Sequence, residues 1–305
     1  MINLIFIQSI MILKGIGRKK TYAITQKLPF KKNINITEKE FIELFTKTKE
    51  FALYKIEIEE LRDCIDSAKK TFEDHAKNNI NAVSYLENEF PKKLLEIKDP
   101  PVILFYKGNI SKLNNINCIA VVGARKPSLN SYDVSYAYAK KIIESNLGII
   151  SGLAKGCDTA AHKGALDNKG FTAAVMPCAL DDESVYPKEN IDLFHAMLEE
   201  DNCIISEYGS GTKIQNHHFI ERDRLQSGLS NSILIIETSL TGGTMHTYKF
   251  ALEQTKLIGC CYFDDIERFD GNIEILKNSN VFKINDPNDL DNFIVQSKES
   301  KFKLF

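Results

Sequence analysis

The spacing of apolar residues along the chain changes near Pro91. Before it, apolar side chains recur at helical spacing, as in F-I-E-L-F at 41–45 and again over 56–68, with turn residues between them and no convincing strand. Runs of this kind are typical of amphipathic helices that pack against one another. The pattern therefore predicts a small all-helical domain over residues 1–85.

After Pro91 the chain alternates between short, β-branched apolar runs and helical stretches. The predicted strands cover residues 102–106, 118–122, 148–151, 172–176, 203–206, 233–237 and 257–261, and helices lie near 131–146, 157–169, 188–200, 218–229 and 243–255. Apolar strands separated by helices are typical of a parallel sheet that is covered on both faces. We therefore predict an α/β fold with a doubly wound, mostly parallel sheet over residues 86–285. A short tail at 286–305 would follow it.

The charge balance of the chain is close to neutral, with 39 Lys and Arg, 41 Asp and Glu, and a net charge of -2. This balance argues against a protein that holds nucleic acid by bulk positive charge, although a local patch remains open. The 305 residues and their 43% hydrophobic content suffice for about two domains with a real core, which excludes a disordered chain.

One local exception is the segment of residues 1–37, which carries seven basic residues and no acid. These residues are Lys14, Arg18, Lys19, Lys20, Lys27, Lys31 and Lys32. The segment fits a basic arm that faces phosphates, but a solvated helix face is the simpler interpretation. Within it, L-K-G-I-G-R-K-K could form the turn of a helix-hairpin-helix, since amides at a helix start can take a phosphate.

The seven cysteines are scattered and include no C-x-x-C pair, so metal-finger spacing is absent. Several lie inside apolar runs, where a free thiol behaves as a small core residue in a reducing compartment. We therefore expect a cytoplasmic protein without a metal or other cofactor. The apolar start of the chain has no basic residue before it and no small-residue cleavage site, and it is too short and polar to span a bilayer.

Ligands of a doubly wound sheet bind beyond the carboxyl ends of its strands, so the loops that follow the strands are the candidate sites. The strand at 118–122 is followed by G-A-R-K-P-S, in which Gly123 allows close backbone approach and Arg125 offers a planar donor fork for phosphate. A turn glycine and a surface cation would explain these two residues equally well. The strand at 148–151 ends in Ser151 and Gly152, which place a hydroxyl and an unobstructed amide there.

The strand at 203–206 leads to the run H-H-F-I-E-R-D-R. Phe219, Arg222 and Arg224 combine an aromatic ring with two guanidinium groups, which is what a single-stranded nucleic acid needs. Glu221 and Asp223 could instead neutralise both arginines within the protein. The adjacent histidines lack partner ligands at a diagnostic metal spacing.

The loop after the strand at 233–237 predicts phosphate binding more strongly than any other in the chain. Thr241, Gly242, Gly243 and Thr244 open a helix whose first amides have no intrahelical acceptor. Packing glycines under a helix start are the alternative. Asp158 and His162 share a helix face four residues apart, but a helix-start aspartate that pairs with His162 is a simpler interpretation than a catalytic dyad.

Together these motifs resemble the DNA-processing protein A family (DprA, also called Smf) in order and spacing. The matching stretches are G-A-R-x-P-S, S-G-L-A-x-G-x-D-x-x-A-H-x-G-A-L, F-x-x-R-x-R-x-x-x-G-L-S and I-I-E-T-x-x-x-G-G-T, and the resemblance spans roughly residues 85 to 280. It implies an extended Rossmann-like domain, preceded by a sterile-alpha-motif-like helical domain. It also implies a dimer that binds single-stranded DNA and hands it to the RecA recombinase in natural transformation, with no catalytic reaction.

The resemblance also implies a role for each site residue. The pocket for the DNA backbone would be lined by Gly123, Arg125, Ser151 and Gly152. Phe219 would contact a base, and phosphates would be contacted by Arg222 and Arg224. A further phosphate would be held at the helix start formed by Thr241, Gly242, Gly243 and Thr244. We therefore expect a DNA-binding protein in which a few basic residues around one pocket bind the phosphates, although the net charge of the chain is close to zero.

The chain departs from the family pattern at several positions. Asp223 stands where the family usually has Asn between the two arginines, and His246 and Thr247 replace a usual Thr-Ala pair. The residues after the sheet also leave no room for the winged-helix domain that many members carry, so none is expected. An alternative follows from T-G-G-T-M-H-T, which resembles the P-G-G-x-G-T loop of Rossmann-like nucleotide sensors and of enzymes that cleave nucleoside monophosphates.

Overall fold

The computed structural model describes residues 2–28, 30, 36–263 and 269–299. Lys31 and Lys32 of the basic segment, and residues 300–305 of the expected tail, lie outside this part of the chain. The first five helices are α1 (Ile2–Ile12), α2 (Arg18–Thr25), α3 (Glu38–Thr46), α4 (Lys49–Leu53) and α5 (Ile58–Lys77). Thr37 begins α3 with a capping box, in which its hydroxyl accepts from the Glu40 N–H and the Glu40 carboxylate accepts from the Thr37 N–H.

Nine strands form one sheet in the order β1-β2-β6-β5-β4-β3-β7-β8-β9. The strands are β1 (Asn81–Ser84), β2 (Ile103–Gly108), β3 (Cys118–Val122), β4 (Gly148–Ser151), β5 (Thr172–Met176), β6 (Cys203–Ser206), β7 (Ser232–Ile235), β8 (Leu257–Cys261) and β9 (Val281–Ile284). All pairs are parallel except those that β2 makes with β1 and β6. The predicted mostly parallel, doubly wound fold is therefore confirmed.

The helices that follow are α6 (Lys112–Asn115), α7 (Leu129–Glu144), α8 (Cys157–Asp167), α9 (Ile191–Glu199), α10 (Asn216–Leu229), α11 (Thr244–Glu253), α12 (Asp270–Leu276) and α13 (Pro287–Glu299). They cover both faces of the sheet because successive strand residues point to opposite sides. Ile119 and Val121 of β3 pack in the cluster that includes α7, α8 and α13. Ala120 and Val122 pack in the cluster that includes α10 and α11.

The connections between strands run to one side of β3 and then switch to the other side, and this switch determines where a crevice forms at the edge of the sheet. From β3 the chain adds β4, β5 and β6 on one side and then returns to place β7 on the other side of β3. The loops after β3 and β7 therefore diverge from neighbouring strand ends and leave a crevice between them.

The elements that were not predicted from the sequence include β1, β9 and α13. β1 lies within the part that was expected to be wholly helical, and it pairs with β2 over Asn81–Ser84. Within the expected tail, α13 packs Leu290 and Phe293 into the sheet core. One apolar cluster also joins Ile10 and Phe41 of the first helices to Phe105 of the sheet. The domain division at residue 85 stays a prediction.

Acids that are distant in sequence neutralise part of the basic segment. Arg18 makes a bidentate ion pair with Asp99 at 2.6 and 3.2 Å and approaches Glu207 and Glu221 at 3.5 and 3.3 Å. Lys27 pairs with Glu50 at 2.7 Å. This segment is therefore partly a docking surface for the sheet.

All seven cysteines are free thiols, and six of them are buried. Among the described residues, no helix is long and apolar enough to cross a membrane.

Candidate functional site

A cavity of about 670 Å³ opens at the crevice between the loops after β3 and β7. Its wall includes Gly123, Arg125 and Lys126 from the first loop, Glu237, Gly242, Gly243 and Thr244 from the second, Asp158 from α8, and Phe219, Arg222, Asp223 and Gln226 from α10. The structure thus brings together most of the predicted site residues, which come from the segments that follow β3, β6 and β7.

The Arg125 side chain lies over the ring of Phe219, with 4.8 Å between the guanidinium carbon and the ring centroid. Arg125 is exposed and Phe219 is half-buried, so a cation and a flat apolar face stand together at the wall. Gly123 has a packing role as well, since a Cβ there would lie 2.6 Å from the Cys157 Sγ. The loop after β3 is therefore held against α8, and Arg125 projects from it.

Arg222 is buried at the cavity floor between two carboxylates. Its Nε lies 3.2 Å from an oxygen of Asp223, and its Nη1 lies 3.9 Å from one of Asp158. With its amide oxygen turned toward these donors, Gln226 accepts from Arg222 Nη1 at 2.8 Å and from the Gly152 N–H at 2.7 Å, and it donates to Asp223 at 3.1 Å. The guanidinium is fixed by its neighbours before any ligand arrives.

Gly152 is required beside this guanidinium. A Cβ at this position would stand 1.2 Å from the Arg222 Nη1. The Gly152 N–H also donates to Asp158 at 3.0 Å. Gly152 does not line the cavity, which corrects that prediction; it acts indirectly, by making room for Arg222 and by donating to the Asp158 carboxylate.

Burial shifts the protonation of both floor carboxyls. The pKa of Asp223 is raised to about 7, mainly by burial; the Arg222 charge opposes the shift, and the weaker effects of Asp158 and Arg125 raise and lower the pKa respectively. Burial also raises the pKa of Asp158, which Arg222 and the amides of Ala154 and Gly152 partly offset. The Asp223 carboxyl is therefore protonated more easily than an exposed aspartate.

The second loop presents the start of α11 to the cavity. Gly242, Gly243 and Thr244 line the wall, whereas Thr241 is exposed and is absent from the lining. Glu237 at the base of this loop accepts from the Ser128 N–H at 2.8 Å and from its hydroxyl at 3.2 Å, which ties the loops together.

Two predicted contacts need correction. Ser151 is fully buried, and its hydroxyl donates to the Val121 carbonyl at 2.7 Å, so it is not offered to a ligand. Arg224 lies outside the cavity lining, because side chains two residues apart on a helix point to nearly opposite sides. It is 4% exposed and makes a bidentate ion pair with Glu207 at 2.6 and 2.7 Å.

Asp158 and His162 do not pair, which corrects that expectation too. Asp158 accepts from the N–H groups of Gly152 and Ala154 and lies near Arg222. The His162 Nδ1 lies 2.7 Å from the Thr172 hydroxyl instead. Burial, together with the nearby Arg222 charge, lowers the pKa of His162 to about 3. Among the described residues, no group of three or more His, Cys, Asp or Glu could hold a metal ion.

The lining also includes residues that were not predicted from the sequence, among them Lys126 and Gln226. Lys126 follows Arg125 directly, and Gln226 lies four residues after Arg222 on the same helix face, so both positions carried a usable signal. The cavity lining holds Arg125, Lys126 and Arg222 against Asp158, Asp223 and Glu237, so its formal charges balance.

A doubly wound sheet whose switch-point cavity sets a cation over an aromatic ring defines a Rossmann-like ligand-binding protein. Comparison with known proteins makes the assignment specific. A sequence model of the DNA recombination-mediator protein A family matches residues 81–292. The chain therefore belongs to this family, which confirms the resemblance seen in its motifs.

Individual relatives agree with this assignment. Protein Smf of Borreliella burgdorferi is 31% identical over 254 residues, which cover 82% of this chain and 76% of that protein. DNA processing protein DprA of Streptococcus pneumoniae is 40% identical over 171 residues, which cover 56% of this chain and 59% of that protein. The match thus spans less than two thirds of the second relative's length.

Two solved structures share the fold. DprA of Streptococcus pneumoniae superposes with a TM-score of 0.72 at 24% identity over 95% of both chains. DNA processing protein A of Helicobacter pylori gives a TM-score of 0.64 at 27% identity over 73% of this chain and 97% of that one. The Helicobacter pylori structure is described as revealing the single-stranded DNA binding mode of that protein.

Proposed function

We propose that this chain binds single-stranded DNA in the switch-point cavity and has no catalytic reaction of its own. The observation that supports this proposal most directly is the stacking at the cavity wall, where the Arg125 guanidinium carbon lies 4.8 Å from the centroid of the Phe219 ring. Single strands are held by cations that follow the phosphates and by flat faces on which bases stack, and guanidinium planes serve as such faces too. The single-stranded DNA binding mode of the related Helicobacter pylori protein supports the proposal.

Each part of the wall has a task in this proposal. Arg125 and Lys126 face the backbone phosphates, Phe219 with its covering guanidinium packs against a base, and the start of α11 at Gly243 and Thr244 directs its amides at a further phosphate. Arg222 keeps the floor from repelling the strand, because it compensates the charges of the buried carboxyls.

The balanced formal charge of the lining bears on affinity. With three acids beside three bases, few counterions are released on binding, so we expect a shallow salt dependence and modest affinity. A duplex, whose bases are stacked inward, gains nothing from Phe219. The proposal therefore includes a preference for single strands over duplexes.

The experiment compares Arg125→Ala with Phe219→Ala by titrating labelled oligo-dT and a duplex of equal length at two salt concentrations. Phe219→Ala should weaken oligo-dT binding by about 1 to 3 kcal/mol and leave the salt slope unchanged. Arg125→Ala should lower the salt slope by about 0.7. Arg62→Ala, which removes an exposed arginine of α5, is the matched control and should do neither. Equal affinity for the duplex, or no effect of either variant, would contradict the proposal.

The finer family role is also a proposal. We expect a homodimer that joins two cavities into a longer track and passes the strand to RecA, in a cytoplasmic setting. Light scattering of the purified chain would test the dimer. RecA filament growth on protein-coated single strands, with and without this chain, would test the transfer.

A second candidate is a pocket for a free nucleotide, which three carboxyls in the lining favour because they can accept from base or sugar donors. Incubation with nucleoside monophosphates, followed by assays for bound nucleotide and free base, separates the two. Saturable nucleotide binding or base release, without oligo-dT binding, would select the second candidate.

A further inference from the structure

A shallow groove adjoins the cavity on the far side of Phe219. Its lining includes Tyr186, Pro177, Pro187 and Lys155, and it shares Arg125 and Phe219 with the cavity. The two spaces are therefore neighbours that have these side chains in common. The groove is only about 40 Å³, so it offers a wall to a ligand rather than an enclosure.

Tyr186 is the exposed ring of this wall. Its side chain is 45% exposed, whereas Phe219 is covered by the Arg125 guanidinium on one side. The two rings meet nearly at right angles, with 5.7 Å between centroids and 77° between planes. This arrangement makes a corner in which a flat group can rest on one ring with its edge against the other.

The charge of the groove differs from that of the cavity. Arg125, Lys155 and Arg222 line it, and no Asp or Glu is among the described residues of its lining. Arg222 is engaged with the floor carboxyls, and Lys155 makes an ion pair with Glu189 in which both side chains are at least half exposed. Exposed pairs of this kind are weak, so a phosphate can replace Glu189 at little cost.

We propose that this groove is a second nucleotide subsite, in which the base next to the one in the cavity stacks on Tyr186 and Lys155 contacts its phosphate. The inference rests on the proposed function, since it places a neighbouring nucleotide of the same strand. The groove combines the Tyr186 ring and two prolines with basic residues and no acid among its described lining. This combination suits a nucleotide better than an apolar or cationic ligand. Tyr186 and Lys155 thereby become DNA contacts in addition to those of the cavity.

The first test measures oligo-dT binding by Tyr186→Ala and Tyr186→Phe. Loss of the ring should weaken binding about five- to hundredfold, and the phenylalanine variant should bind within about twofold of the unaltered chain. Tyr136→Ala, which removes a tyrosine on α7 that bonds to Asp167, is the matched control and should bind normally. Thermal unfolding of each variant checks that the fold is retained.

The second test locates the contact. Oligo-dT carrying one 5-iododeoxyuridine is photo-crosslinked at successive positions, and the modified residue is identified by mass spectrometry. Crosslinks to Tyr186 from one position, adjacent to the position that crosslinks to Phe219, would support the subsite.

The failures of the two proposals are distinguishable. If the unaltered chain binds no oligo-dT, the proposed function fails. If it binds, and Phe219→Ala weakens binding while Tyr186→Ala does not, only the second subsite is overturned. Equal losses in Tyr186→Ala and Tyr186→Phe would overturn it too, because stacking does not need the hydroxyl.

Discussion

Gly152→Ala tests the packing of the cavity floor most directly. The new Cβ would stand 1.2 Å from Arg222 Nη1 and 2.3 Å from its Cζ, whereas unstrained heavy atoms approach to about 3.5 Å. The guanidinium must therefore move by about 2 Å, and the open direction is the cavity. This movement separates Arg222 from Asp158, Asp223 and Gln226.

The size of the effect follows from these partners. Removing one member of a buried ion pair costs about 3 to 5 kcal/mol, since the other charge is left uncompensated. The displaced guanidinium can reach solvent in the cavity, so we expect a smaller loss of about 2 to 4 kcal/mol in the free energy of unfolding. The same side chain would occupy the space of the DNA, so oligo-dT affinity should fall at least about tenfold.

Urea denaturation followed by circular dichroism measures the stability, and fluorescence titration measures the affinity. Gly17→Ala is the control, because its Cβ meets nothing within 4 Å, and it should cost less than about 1 kcal/mol. In an Arg222→Leu background, Gly152→Ala should also cost less than about 1 kcal/mol, since the clashing group is gone. A full cost in that background would refute the reasoning.

Two further predictions concern charges around α10. Because the raised pKa of Asp223 is about 7, its carboxylate forms as the pH rises through that value and then repels phosphate. Oligo-dT titrations should show affinity falling between about pH 6 and about pH 8, and a loss of this fall in Asp223→Asn. Arg18→Ala should lower the free energy of unfolding by about 2 kcal/mol in urea melts, because Asp99 loses its bidentate partner while Glu207 keeps Arg224. The DNA affinity of the folded protein should be unchanged. Unaltered stability would contradict it.

The sequence predicted the central strands and helices well because their apolar runs are long and buried on both faces. The strands at Cys118–Val122, Gly148–Ser151 and Thr172–Met176 occur where they were expected. β1 and β9 were missed, because only part of each short strand is buried and the apolar signal is correspondingly weak.

The sequence predicted which loops form the site, but it did not predict which side chains contact one another within it. The sequence indicates Gly152 and Arg222 as site residues, yet nothing in it indicates that a glycine after β4 makes room for a guanidinium of α10. The error on Arg224 was avoidable, since helical spacing already separates it from Arg222 by more than half a turn. The partners of Arg18 could not be predicted, because pairing across the fold depends on tertiary packing.

The cluster of Arg18, Asp99, Glu207 and Arg224 has a practical consequence for dissecting this protein. The family match begins at residue 81, which invites expression of that part alone. Such a fragment would lack Arg18, the partner of Asp99. It would also expose Phe105 and its apolar neighbours to solvent, because the first helices pack against them. The part that the family model matches therefore lacks some of its own apolar covering. We expect a truncated chain that fails in an assay to have lost stability before it has lost function.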